Sequence, residues 1–141
     1  MKLLAIFSIL FCFVCCFAKL NQQQMETING FAKDCFKELN IPSDSNLLAR
    51  ALKTKLTTFS DQDIDFLACM GRTVGALDAE GVYHSQPIEG FFLQSGSTFN
   101  KQEMIDVVEI CIGQQVRGTP YKDNVAKFNK CFYENKKFDL M

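Results

Sequence analysis

From residue 22 onward, apolar side chains return at three- and four-residue steps, the period that places them on one face of an α-helix. Ile28, Phe31, Ala32, Cys35, Phe36 and Leu39 form the first such face and predict a helix over about 22–39. Asn40-Ile41-Pro42 stops it, because proline disfavours a helical residue before it. Leu47, Leu48, Ala51 and Leu52 mark a shorter helix from Asp44 to about Lys55. Ser60 and Asp63 are spaced as a capping box and open a third helix, from Asp61 to about Leu77, with Leu67, Met70, Val74 and Leu77 as its stripe. Pro87 to about Leu93 is a short fourth helix. Asn100 and Glu103 form a second capping box ahead of a fifth helix reaching about Val116, whose stripe is Met104, Val108, Cys111, Ile112 and Gln115. Thr119 caps the last helix, with Pro120 at its first position, where a missing N–H costs nothing. Tyr121, Val125, Phe128 and Phe132 share its inner face. There is no strand pattern and no repeat, so the expected fold class is all-α, six short helices in a single domain over 19–141.

The first eighteen residues read differently. Met1-Lys2 is a short positive start, and Leu3 to Phe17 is apolar apart from Ser8. Ala18 is small, as a cleavage site requires, and Lys19 opens a polar segment. This is the pattern of a secretory signal peptide, too short to span a bilayer. Cleavage after Ala18 would remove Cys12, Cys15 and Cys16 and leave Cys35, Cys69, Cys111 and Cys131. An even cysteine count in a small secreted chain reads as a disulfide framework, and the expected localisation is extracellular.

Removing Lys2 leaves 14 basic and 16 acidic residues, a balance that offers no field for nucleic acid, and no later segment calls for membrane insertion. Ten of the 14 phenylalanines lie beyond Ala18, and there is no tryptophan. So many rings in a small domain either pack a core or line an apolar cavity. His84 is the only histidine, which excludes Ser-His-Asp, Cys-His and two-histidine metal arrangements. Asp78-Ala79-Glu80-Gly81 is a turn that lacks the glycine position and downstream glutamate of a calcium loop. No Gly-rich phosphate loop is present. The chain reads as a binding protein, not an enzyme, with no cofactor and no metal.

At this point a family resemblance appears. The mature chain resembles the insect odorant-binding proteins, the pheromone-binding and general odorant-binding group. That family carries six cysteines on six helices, paired first with third, second with fifth and fourth with sixth. Cys35, Cys69, Cys111 and Cys131 fall at its first, third, fourth and sixth positions, while Asp65 and Lys122 stand at the second and fifth. The segments Phe31-Ala32-Lys33-Asp34-Cys35, Leu77-Asp78-Ala79-Glu80-Gly81 and Phe128-Asn129-Lys130-Cys131-Phe132-Tyr133-Glu134 resemble the family's first helix end, the turn after its third helix and its sixth helix. The two missing cysteines are bridge partners, so one whole bridge is absent, as in the four-cysteine "minus-C" subgroup.

The resemblance implies disulfides Cys35–Cys69 and Cys111–Cys131, with Asp65 and Lys122 close together, and helices gathered around an apolar cavity. It implies a secreted carrier of small hydrophobic molecules such as odorants, pheromones or fatty-acid-like ligands. A salivary or venom protein of the same fold, binding a host mediator or host protein, is the alternative. The partners implied are a small apolar ligand and, beyond it, an olfactory receptor or a second copy of the chain. Met70, Val74, Ile88, Phe91, Phe92, Val108, Ile112, Phe128, Phe132 and Phe138 are the expected ligand-binding residues, with core packing as the alternative at each. Tyr121 and Tyr133 are the expected hydroxyl donors. Phe138, Leu140 and Met141 predict a tail folded back over one mouth of the cavity, with Phe138 docked there. Asp139 and the terminal carboxylate would then be partly buried at the rim, so that acid neutralises them and eases ligand release. His84 is either a solvated loop residue or a titrating switch. A void of several hundred Å³ would separate a carrier from a solid helical protein.

Overall fold

A computed structural model describes residues 20–53, 55–94 and 96–140; the expected signal peptide, 1–18, lies outside the described residues. The helices are α1 (Gln22–Glu38), α2 (Leu47–Lys53), α3 (Asp61–Val74), α4 (Ser85–Phe92), α5 (Lys101–Gly113) and α6 (Tyr121–Asn135). Local chemistry accounts for most of the ends. Ser60 and Asp63 form the expected reciprocal capping box at α3, and Asn21 and Gln24 form another at α1. Asn100 accepts from the Glu103 N–H at α5.

The boundaries depart from the sequence reading in several places. Helix α3 ends at Gly75, which takes up the left-handed conformation at φ 81°. Leu77 therefore leaves the helix and forms an antiparallel bridge with Tyr83 across the turn. Helix α2 is shortened at both ends, and α4 begins two residues early, with Pro87 in its first turn, where its missing N–H costs nothing. Helix α5 ends at Gly113 rather than near Val116. At α6, Pro120 rather than Thr119 occupies the cap, and no side chain caps that end.

Among the described residues there are two disulfides, Cys35–Cys69 and Cys111–Cys131. They close loops of 34 and 20 residues, each worth roughly 3–4 kcal/mol by the chain-entropy argument. The first joins α1 to α3 inside a small cluster that includes Ala32, Phe36, Ile41, Leu47, Ala51 and Phe66. The second joins α5 to α6 inside the larger cluster that fills the rest of the molecule.

Helix α6 packs between α3 and α5. Lys122 and Cys131 are nine residues apart, about two and a half turns, and so face opposite sides. Cys131 meets α5 through its disulfide, and Lys122 Nζ lies 2.9 Å from Asp65 Oδ1 on α3. Asp65 and Lys122, expected close together, thus form an exposed ion pair. A more buried pair, Arg50 with Asp63 at 3.1 and 3.4 Å, ties α2 to the start of α3.

Candidate functional site

Buried Gln24 sets the position of α4. Its Nε2 donates to the carbonyl oxygens of Phe91 at 2.7 Å and Phe92 at 3.3 Å, while its Oε1 accepts from the Asn21 N–H at 2.9 Å. One side-chain amide therefore caps the start of α1 and satisfies carbonyls at the end of α4 that the helix leaves free. Phe91 and Phe92 are held there with their rings edge to face, 5.2 Å apart.

Behind these rings the two core clusters do not close completely. They leave a cavity of about 150 Å³. Helix α1 contributes Ile28 to its wall, and α2 contributes Leu48, Ala51 and Leu52. Helix α3 contributes Phe66, Leu67, Met70, Gly71 and Val74; the turn behind it adds Ala76 and Tyr83. Ile88, Phe91 and Phe92 come from α4, and Phe128, Asn129, Phe132 and Tyr133 from α6. Leu140 of the tail completes the wall. An apolar cavity of this size holds a benzene-sized guest in another protein. It falls below the several hundred Å³ that would by itself separate a carrier from a solid helical protein.

Seven of the ten expected residues, Met70, Val74, Ile88, Phe91, Phe92, Phe128 and Phe132, stand in this wall. Val108, Ile112 and Phe138 do not. Helix α5 packs against α4 and α6, and its stripe is spent there: Val108 is fully buried in solid core and Ile112 packs beside it. Phe138 is buried against the edges of Phe99 and Phe132, at 5.6 and 6.3 Å between ring centres.

The tail does fold back, but Leu140, not Phe138, reaches the cavity. The Leu20 N–H bonds to the Leu140 carbonyl at 3.3 Å, joining the two ends of the described chain. Lys136 Nζ bonds to the Phe138 carbonyl at 3.1 Å, and burial lowers its pKa. Asp139 is exposed, so it is not the partly buried acid expected at the rim; Met141 and its terminal carboxylate lie outside the described residues.

The polar groups differ from expectation as well. Tyr133 is in the wall, but its hydroxyl donates to the Ala51 carbonyl at 2.7 Å and is spent as a strut between α6 and α2. The Tyr121 hydroxyl accepts from Arg72 Nη1 at 2.9 Å near the surface. Tyr83 and Asn129 are the polar wall residues that sequence reading passed over. Gln115 pins the Tyr83 backbone, accepting from its N–H at 2.6 Å and donating to its carbonyl at 2.9 Å. The Tyr83 ring stacks on Phe128 at 4.0 Å. Burial pushes the phenol pKa of both Tyr83 and Tyr133 well up, which keeps each a neutral hydroxyl. His84 is exposed outside the wall, and its hydrogen bond at 2.8 Å holds the Asp78 carboxyl below the usual range. Among the described residues no cluster of His, Cys, Asp and Glu gathers to hold a metal, and no helix is long and apolar enough to cross a membrane.

Among the described residues, two disulfides, six helices and an apolar cavity walled by aromatic rings make an all-α, disulfide-stapled domain. Residues 17–135 match the PBP/GOBP family, and the chain belongs to it: the insect odorant- and pheromone-binding family of secreted carrier proteins. Comparison with curated proteins and with solved structures finds no match.

Proposed function

We propose that the chain is a secreted, non-enzymatic carrier that takes small hydrophobic molecules, in the class of odorants and pheromones, into its internal cavity. The observation that carries this reading is the family match over 17–135, and a half-open cavity, apolar over nearly its whole wall and lined by all of the described helices except α5, supports it. Met70, Val74, Ile88, Phe91, Phe92, Phe128 and Phe132 are its proposed contact residues. The volume favours guests the size of a small aromatic or a short terpene fragment; a fatty-acid-like ligand would have to displace part of the wall. The two disulfides fit an oxidising extracellular compartment, and the leader over 1–18 is the proposed export signal. The pairing at Asp65 and Lys122 supports placing the chain in the four-cysteine subgroup.

Calorimetry with ethylbenzene tests the proposal. A guest of this size should bind with a Kd on the order of 10 μM and a negative heat-capacity change, the mark of apolar burial. Val74→Phe, which fills the void from α3, should abolish that binding while the protein keeps its helical signal. Absence of any binding by the unmodified protein would overturn the carrier reading.

A further inference from the structure

Tyr83 and Asn129 meet in the wall of the cavity, and their hydrogen bonding leaves one donor unused. Asn129 Nδ2 donates to the Val125 carbonyl at 2.8 Å. A carbonyl oxygen can only accept, so the orientation of the amide is fixed. The second proton of the same nitrogen points to the Tyr83 hydroxyl oxygen at 3.0 Å. That oxygen is therefore an acceptor in this contact, and its own proton remains free. Among the described residues no acceptor takes it.

The hydroxyl does not escape to water. Tyr83 is only 5% exposed. On its other side stands Gly71, also in the cavity wall, whose missing Cβ would lie 3.0 Å from the ring and 3.2 Å from the hydroxyl. The phenol is thus packed tightly against α3 at a glycine, between two wall residues. A buried donor without an acceptor is costly, and native proteins rarely leave one unsatisfied.

We propose that the Tyr83 hydroxyl, aimed by Asn129, is the polar recognition point of the cavity, and that the preferred guest is a small hydrocarbon body carrying one acceptor oxygen, as in a ketone, aldehyde or ester. This rests on the carrier reading and narrows it. The remaining wall fits the hydrocarbon, while the phenol selects the oxygen. Tyr133 cannot share this role, because its hydroxyl is already committed to the Ala51 carbonyl.

Acetophenone and ethylbenzene have nearly the same shape and differ in the acceptor oxygen. Calorimetric titration of both, with the unmodified protein and with Tyr83→Phe, tests the assignment. The variant should lower the ratio of acetophenone to ethylbenzene affinity by about 3- to 10-fold, the worth of one neutral hydrogen bond. An unchanged ratio overturns the assignment and leaves the carrier reading standing, since ethylbenzene still binds. If neither compound binds the unmodified protein, both readings fall. A second measurement needs no variant: the infrared carbonyl stretch of bound, ¹³C-labelled acetophenone should lie below its value in an apolar solvent. A stretch equal to that value means that no donor reaches the oxygen, and also overturns the assignment.

Discussion

Tyr83 and Tyr133 are two of the chain's three tyrosines, and both phenols are buried. Burial raises both pKa values, chiefly because the phenolate would lose its hydration. The sign follows from linkage. A group whose folded pKa lies above its unfolded value contributes stability that is intact below the unfolded value, near 10 for these phenols, and is lost as pH rises through the folded one. Lys122, raised by its hydrogen bond to Asp65, acts in the same direction above its own ordinary value. Alkali should therefore unfold the protein, with two tyrosines ionising in the same step. Absorbance at 295 nm and helical circular dichroism should share one midpoint above pH 10. Two phenols that ionise near pH 10 while the helices persist would contradict their burial. Gly71 belongs to the same scale. Glycine within a helix costs roughly 0.5–1 kcal/mol relative to alanine, and here it lets the Tyr83 ring pack within 3.0 Å of where a Cβ would be.

At the scale of the elements, Asp65 and Lys122 join α3 and α6 through an exposed ion pair. Both side chains are about half exposed, so solvent screens the pair and the helices are joined loosely at that point. Asp65→Cys combined with Lys122→Cys should form a third disulfide spontaneously in oxidising buffer and raise Tm by several degrees. Two persistent free thiols would show that these positions do not correspond to the family's missing bridge. The nine-residue step from Lys122 to Cys131 was legible in the sequence, as were the six helices, because helical period and cysteine spacing are local properties. Helix ends were less so: the left-handed Gly75 that releases Leu77 into its bridge looks like any other glycine until the turn is built. Cavity and core were not separable either. Val108 and Val74 lie on equally apolar stripes, and only the packing of α5 against two neighbours turns the first into core while the second faces a void. Tyr83 and Asn129 escaped notice because one sits in a turn, where no period marks an inner face, and the other is a polar residue beside an apolar stripe.

At the scale of the whole molecule, the tail and the start of the described chain close the structure together. Leu140 bonds to Leu20 through the backbone and covers the cavity with its side chain, while Phe138 fills the gap between Phe99 and Phe132. Burying one large apolar side chain stabilises by roughly 1.5–3 kcal/mol, so these two together contribute roughly 3–6 kcal/mol. Fixing the backbone of residues 138–140 costs roughly 1–2 kcal/mol each, or roughly 3–6 kcal/mol. The two terms nearly cancel. A segment in that balance can lift away without unfolding the rest, and Leu140 would then leave the cavity wall. Deletion of 138–141 should therefore leave Tm within a few degrees of the full chain, yet speed release of a bound small aromatic by tenfold or more, because the wall loses Leu140. Stopped-flow dissociation beside thermal unfolding measures both quantities on the same pair of proteins. A large fall in Tm with an unchanged release rate would make the tail a structural brace and not a lid. Asp139 is exposed, and what holds the tail among the described residues is the apolar docking of Phe138 and Leu140. Release by the truncated chain should then exceed that of the full chain by a similar factor at pH 5 and pH 7.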